Sequence, residues 1–200
     1  MLYSTYIFYT GLLLIVLIFA AWFYTLTRRR KTQLKLIIPE FGTNIIVDAG
    51  LSNFDIQFER DGTVFHGSSV TTRNSTTLKL NFSLPQFNEK FLIRQNSSLA
   101  SFHAWMDEGQ FSSAVLIPDL AENYLVFSPN HDFTKTFLSN KAVSAEINSL
   151  GSTFTYPQLW LEGSHFHIEL FSGSGWDIAE KITHVCRAAV VFHDNLKKLS

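Results

Sequence analysis

No charged side chain occurs between Tyr3 and Thr27, and no acidic residue before Glu40. The chain has a single cysteine, Cys186, so no intrachain disulfide can form. One lone thiol with no disulfide framework fits a reducing compartment. It lies among Val185, Ala189 and Val190 and reads as a small buried apolar residue. Excess positive charge is also missing. Four of the 16 Lys and Arg lie at Arg28–Lys31, while all 17 Asp and Glu follow them, which leaves residues 32–200 at a net charge of −5. Nucleic acid rewards a basic face, so that class of partner is excluded.

Motifs that carry chemistry are missing as well. The sequence has no Gly-rich phosphate loop of the Walker or dinucleotide type and no His-Glu-x-x-His. Phe171-Ser172-Gly173-Ser174-Gly175-Trp176 lacks the spacing of a nucleophile elbow and reads as a strand-to-helix turn. Its helix start offers only the generic anion affinity of free amides. Asp48, Asp55, Glu59 and Asp61 fall on strands and turns, with no two marked as a general acid and base. His103, Trp105, Asp107 and Glu108 form a polar stretch without evident catalytic partners. The sequence therefore gives no catalytic residue and implies no cofactor.

What the chain does have is a membrane span. Leu2–Leu26 is apolar and uncharged, with Tyr3, Tyr6 and Tyr9 at one end and Trp22 and Tyr24 at the other. About 20 apolar helical residues cross a hydrocarbon core, and aromatic belts mark its two interfaces. Arg28, Arg29, Arg30 and Lys31 follow at once. The positive-inside rule then puts residues 32–200 in the cytoplasm of a single-pass cell-membrane protein. A signal peptide would start with positive charge, carry a shorter apolar core and end in small residues, so the segment reads as an uncleaved anchor. The basic flank would also attract anionic headgroups. Against the cytoplasmic reading stand three formal glycosylation triplets, at Asn74, Asn81 and Asn96, which we read as accidental. The expected organisation is an anchor with basic flank over residues 1–31 and one soluble domain over 32–200.

The soluble part reads as α+β. Leu34, Leu36, Ile37 and Ile38 could open a strand before Pro39. Phe54, Ile56 and Phe58 alternate with polar residues, Asp61-Gly62 signals a hairpin, and Val64–Val70 could return. Leu78, Leu80, Phe82 and Leu84 alternate likewise. Phe91–Ile93, Val115–Ile117 and Tyr124–Phe127 are shorter strand signals. Residues 131–150 suit one or two helices ending at Gly151, and Gln158–Leu161 with His165–Phe171 suit a strand pair. Together these predict a largely antiparallel sheet with one wet face.

Ser174–Asp177 resembles a capping box opening a long terminal helix. Ile178, Ile182, Val185, Ala189, Phe192, Leu196 and Leu199 recur on it at alternating spacings of four and three. Ala179, Cys186 and Val190 widen that stripe, which favours packing in the domain core over a partner helix. His184 and His193 lie about a face apart from the stripe and read as surface or boundary residues.

The one cluster with ligand chemistry is His165, His167 and Glu169, whose spacing puts all three on one face of a strand. The pleat explains them without a metal. Phe166, Ile168 and Leu170 need the core, which forces the alternate residues toward solvent.

From about Asn123 onward, the Tyr124–Ser128 strand with Asp132, Phe137-Leu138-Ser139, Leu159–Gly163 and the final helix resemble uncharacterised bacterial single-pass membrane-anchored proteins. The turn Ser128-Pro129-Asn130-His131-Asp132 departs from their pattern. The resemblance implies an α+β fold and a bacterial membrane setting, and brings no catalytic residues. The expected role is a non-enzymatic module that binds a protein partner, or a second copy of itself, at the membrane. The alternative is a membrane-tethered enzyme or ligand-binding domain using the His165/His167/Glu169 face.

Overall fold

The computed structural model describes residues 2–50, 53–72, 75–96, 114–173 and 178–199. Helix α1 spans Leu2–Ile37 without a break and is followed by a short 3-10 turn, Ile38–Glu40. It therefore runs through the basic flank and past residue 31. The strand expected at Leu34–Ile38 is helix instead. Gln33, Leu34, Lys35 and Leu36 all favour helix, and nothing stops it before Pro39. Leu34 and Ile38, four residues apart on one helical face, are buried in the domain core, while Leu36 is exposed.

The domain is one eight-stranded sheet in the order β1-β2-β3-β4-β8-β7-β5-β6. Its strands are β1 (Thr43–Ala49), β2 (Asn53–Arg60), β3 (Thr63–Thr71), β4 (Ser75–Ser83), β5 (Glu89–Gln95), β6 (Tyr124–Phe127), β7 (Thr155–Gly163) and β8 (His165–Gly173). Every pairing is antiparallel. Asp61 and Gly62 turn β2 into β3 with φ of 50° and 77°, the primed geometry that matches strand twist. Val115–Ile117 is not a strand. Ala114 makes one bridge to Phe127, and Pro118 removes the next donor.

Alternation puts one phenylalanine row across the covered face. Phe58, Phe65, Phe82 and Phe166 pair successively from β2 to β8, and Leu161 joins Phe166 to Phe91. Phe58–Phe65 and Phe82–Phe166 are stacked, with centroids 4.7 and 5.1 Å apart. Helices α2 (His131–Leu138), α3 (Lys141–Thr153) and α4 (Ile178–Leu196) complete the fold. Asn130 and Asn140 cap α2 and α3 by accepting from the amides of Phe133 and Ala142. Phe192 of α4 meets Phe166 and Phe137. The architecture is α+β, with a largely antiparallel sheet packed by helices that include a long C-terminal one.

Helix α3 passes through Gly151 and ends at Thr153. Gly151 is there for space rather than for a turn, because a Cβ would overlap the Tyr124 hydroxyl. That hydroxyl donates to the Ile147 carbonyl at 2.8 Å, and burial pushes its pKa up to about 12. Gly151→Ala should cost about 1–3 kcal/mol by displacing a buried hydrogen bond. In a Tyr124→Phe background the hydroxyl is gone, though the ring Cζ still stands 3.1 Å from the added Cβ, so the same change should cost clearly less than in the parent. Chemical denaturation of the four proteins of this cycle measures the difference. Equal effects in both backgrounds would contradict it.

Candidate functional site

The face of the sheet opposite the phenylalanine row carries its polar side chains. On β8, Phe166, Ile168 and Leu170 are buried and His165 is exposed, as the alternation requires. His165, His167 and Glu169 do share this face, but each is engaged separately. The His167 ring stacks on Trp160 at 4.7 Å, with the planes 11° apart. His165 lies 6.3 Å from His167 between centroids. Glu169 pairs with Lys79 across the strand at 3.2 Å. Among the described residues, no three His, Cys, Asp or Glu are grouped to hold a metal ion.

Register aligns Gln57, His66, Asn81, His167, Trp160, Leu92 and Phe127 in one row across seven strands. At its β5–β6 end, Leu92 and Phe127 are buried in a second apolar cluster, with Leu125 and Trp160 packed against it. The neighbouring row is Asp55, Ser68, Lys79, Glu169, Gln158 and Arg94. At the β1 end, Ile46, Asp48, Asp55, Gln57, His66 and Ser68 line a shallow depression of about 310 Å³. Burial, reinforced by the nearby His165, lowers the His167 pKa. This face therefore offers an aromatic centre within a mixed-charge surface.

Sequence reasoning placed the three β8 residues but missed the row they belong to. The available signal was Phe91-Leu92-Ile93, whose unbroken apolar run marks a strand buried on both faces. The capping sequence Ser174–Asp177, the polar stretch His103–Glu108 and the triplet asparagine Asn74 lie outside the described residues. Asn81 sits mid-strand in β4, paired with His66 and His167.

His193 corrects the sequence reading. It is fully buried, not a surface or boundary residue. Its ring lies edge-on to Phe65 and Phe82. Its Nδ1 is 2.9 Å from Asp194 Oδ1, and its Nε2 is 3.0 Å from Thr63 Oγ1. In the neutral ring, Nδ1–H donates to the carboxylate and Nε2 accepts from the hydroxyl. Arg60 donates to Asp194 at 2.9 Å and to the Phe41 carbonyl at 3.5 Å. Thr63, His193 and Asp194 stand in the order of a nucleophile, base and orienter. However, Thr63 is itself buried, so the group acts as a strut joining α4, the β2–β3 hairpin and the exit from α1.

This strut makes stability sensitive to acid. Burial lowers the His193 pKa from 6.5, outweighing the favourable hydrogen bond and charge of Asp194. Burial alone would raise Asp194, but hydrogen bonds from His193 and Arg60 and the guanidinium charge bring it below 3.8. A depressed histidine is neutral in the fold and charges more readily when unfolded, so stability falls as pH drops below 6.5. His167 acts with the same sign. Asp194 contributes stability that is present above 3.8 and lost below it as the carboxylate is protonated. The unfolding temperature of the detergent-solubilised full chain should be flat from pH 8 to about 6.5 and fall below that. A rise on acidification would contradict the assignment.

At the N-terminus, the described side chains of α1 from Tyr9 to Tyr24 are exposed. Among the described residues, one helix is thus long and apolar enough to cross a membrane, with a window of mean hydropathy 2.0, none of it buried against the domain. Lys31 lies 3.8 Å from Asp48, and the last turns of α1 pack on β1 and α4.

No protein-family model matches this sequence, and no curated protein matches it. Among solved structures, the crystal structure of the mycobacterial trehalose monomycolate transport factor A, TtfA, is similar at a TM-score of 0.47 and 11% sequence identity, covering 86% of this chain and 94% of that one.

Proposed function

We propose that the chain is a single-pass membrane protein whose α+β domain lies on the cytoplasmic side and docks a protein partner on the open face of its sheet. The exposed apolar length of α1 and the Arg28–Lys31 cluster behind it support the anchor and its orientation. The observation that carries the docking role is the Trp160–His167 stack on the open face, backed by the buried Leu92 and Phe127. A large aromatic ringed by polar and charged side chains is the composition of an interface hot spot. Long amphipathic α4 is not the docking element, because its apolar stripe is buried in the domain.

The test is a photo-crosslinking amino acid at His66, on the open face, in the full chain in cell membranes. One discrete adduct is expected, absent when the probe stands at Ala145 on α3 and lost with Trp160→Ala. An adduct that survives Trp160→Ala, or the same adduct from Ala145, would sink the reading. A partner with this sequence would make the contact a homo-oligomer.

A further inference from the structure

We infer that one end of the sheet, centred on Val70 and the ends of β1–β4, rests on the lipid headgroups of the membrane that α1 crosses. The inference builds on the anchor reading above and extends it to a second contact with lipid.

Geometry sets the height of that end. Helix α1 continues from its apolar stretch into the domain without a joint, so the domain cannot swing away on a linker. Lys31 is only four residues beyond Thr27, about 6 Å along a helix axis. Its ammonium meets Asp48, near the end of β1. Strand β1 starts beyond the 3-10 turn and runs back alongside α1, so Ala49 and Gly50 come level with the basic flank. Register carries the level across the sheet. Ala49 pairs with Phe54, Asn53 with Val70, Val70 with Thr77, and Thr77 with Phe171.

Composition supports the same surface. In a domain with a net charge of −5, the described residues at this end are Ala49, Gly50, Asn53, Phe54, Val70–Thr72 and Ser75–Thr77, none of them charged. On β8 the series continues with Phe171, Ser172 and Gly173, and the Ser172 hydroxyl receives the ammonium of Lys181 from α4. Val70 is 60% exposed and Phe171 36%. One residue further in from Ala49 and Phe54, Asp48 and Asp55 pair across β1 and β2, with Lys31 of the basic flank set against Asp48. Hydroxyls and exposed apolar side chains at the described tips suit the headgroup and carbonyl layer. At the opposite end of the same strands lie Glu59, Arg60 and Asp61, with Asp194 and Lys197 from the end of α4 set against Arg60 and Asp61. That end has no comparable exposed apolar side chains at its hairpin tip, Asp61-Gly62, and its Arg60 and Asp194 are paired with one another. Strand twist of about 20–25° per neighbour turns the later strands away, so contact should be deepest at Val70 and shallower at Phe171.

The test compares two positions on one strand and one face. Val64 and Val70 differ by six residues, about 20 Å along β3. The full chain, carrying Val64→Cys, Val70→Cys, Phe171→Cys or Leu17→Cys, is labelled with an environment-sensitive fluorophore. The native thiol at Cys186 is fully buried and does not compete. Each protein is reconstituted in phosphatidylcholine–phosphatidylglycerol vesicles with nitroxide quenchers on headgroups or acyl chains. Position 70 should lose most of its emission to headgroup quenchers, position 171 less, and position 64 almost none, while position 17 is quenched from the acyl chains. If position 17 is quenched but 70 is as bright as 64, the rim does not touch lipid and the inference is overturned with the anchor intact. If position 17 is not quenched, the anchor reading fails and the inference falls with it.

Discussion

Val185→Asp in the full chain should leave no folded domain. Val185 and Ile182 face the core from α4, next to Cys186, Ala189 and Phe192, all buried. An aspartate there must be buried ionised without a partner, or be buried protonated at the cost of its pKa, and either outcome removes several kcal/mol. Domains of this size hold only about 5–15 kcal/mol in total. Leu199, the last member of the same sequence stripe, lies beyond the helix and is 38% exposed. Leu199→Asp should therefore stay within roughly 0.5 kcal/mol of the parent. Circular dichroism and limited proteolysis of both variants decide the matter. A folded Val185→Asp protein would mean that α4 is an exposed partner-binding helix, and the assignment of the core would be wrong.

Phe166→Ala should produce the second large loss. Phe166 stands near the middle of the aromatic row, stacked on Phe82 and touching Phe91 and Phe192. Truncating a buried Phe costs about 3–5 kcal/mol through lost transfer energy and the cavity left behind. The unfolding temperature should drop by on the order of 10 °C. Phe171→Ala, on the same strand but the open face, should cost far less. Comparable losses at the two positions would deny that the sheet has one covered and one open face.

Particular elements explain which parts of the fold were legible. Strands β2, β3, β4 and β8 are half-buried, so Phe54-Ile56-Phe58 and Phe166-Ile168-Leu170 alternate with polar residues and declare both their period and their inward face. Leu34–Ile38 did not declare itself, because a short apolar run fits strand and helix equally. Tertiary burial of Leu34 and Ile38 decides for helix. His193 was hidden by a narrow reading of the α4 stripe. Cys186, Ala189 and His193 recur at three and four residues and form a second buried line beside the first. The adjacent Asp194 was the clue to a satisfied buried histidine. The open face was legible at His165, His167 and Glu169. Its apolar end, where Trp160 packs on the buried Leu92 and Phe127, was not, because it depends on the pairing of β7 with β5 and β8, which no local pattern encodes.

The anchor and the domain are physically one piece, since α1 enters the core and the Arg60–Asp194–His193–Thr63 strut ties its exit to α4 and the β2–β3 hairpin. The side of the membrane on which the domain lies therefore determines which partners its open face can meet. Paired cytoplasmic and periplasmic reporters fused after Ser200 in a bacterial host measure that side directly. The account predicts activity from the cytoplasmic reporter alone, with the Arg28–Lys31 flank retained inside the cell. Activity from the periplasmic reporter alone would contradict it, reversing the orientation and moving the docking face to the cell envelope.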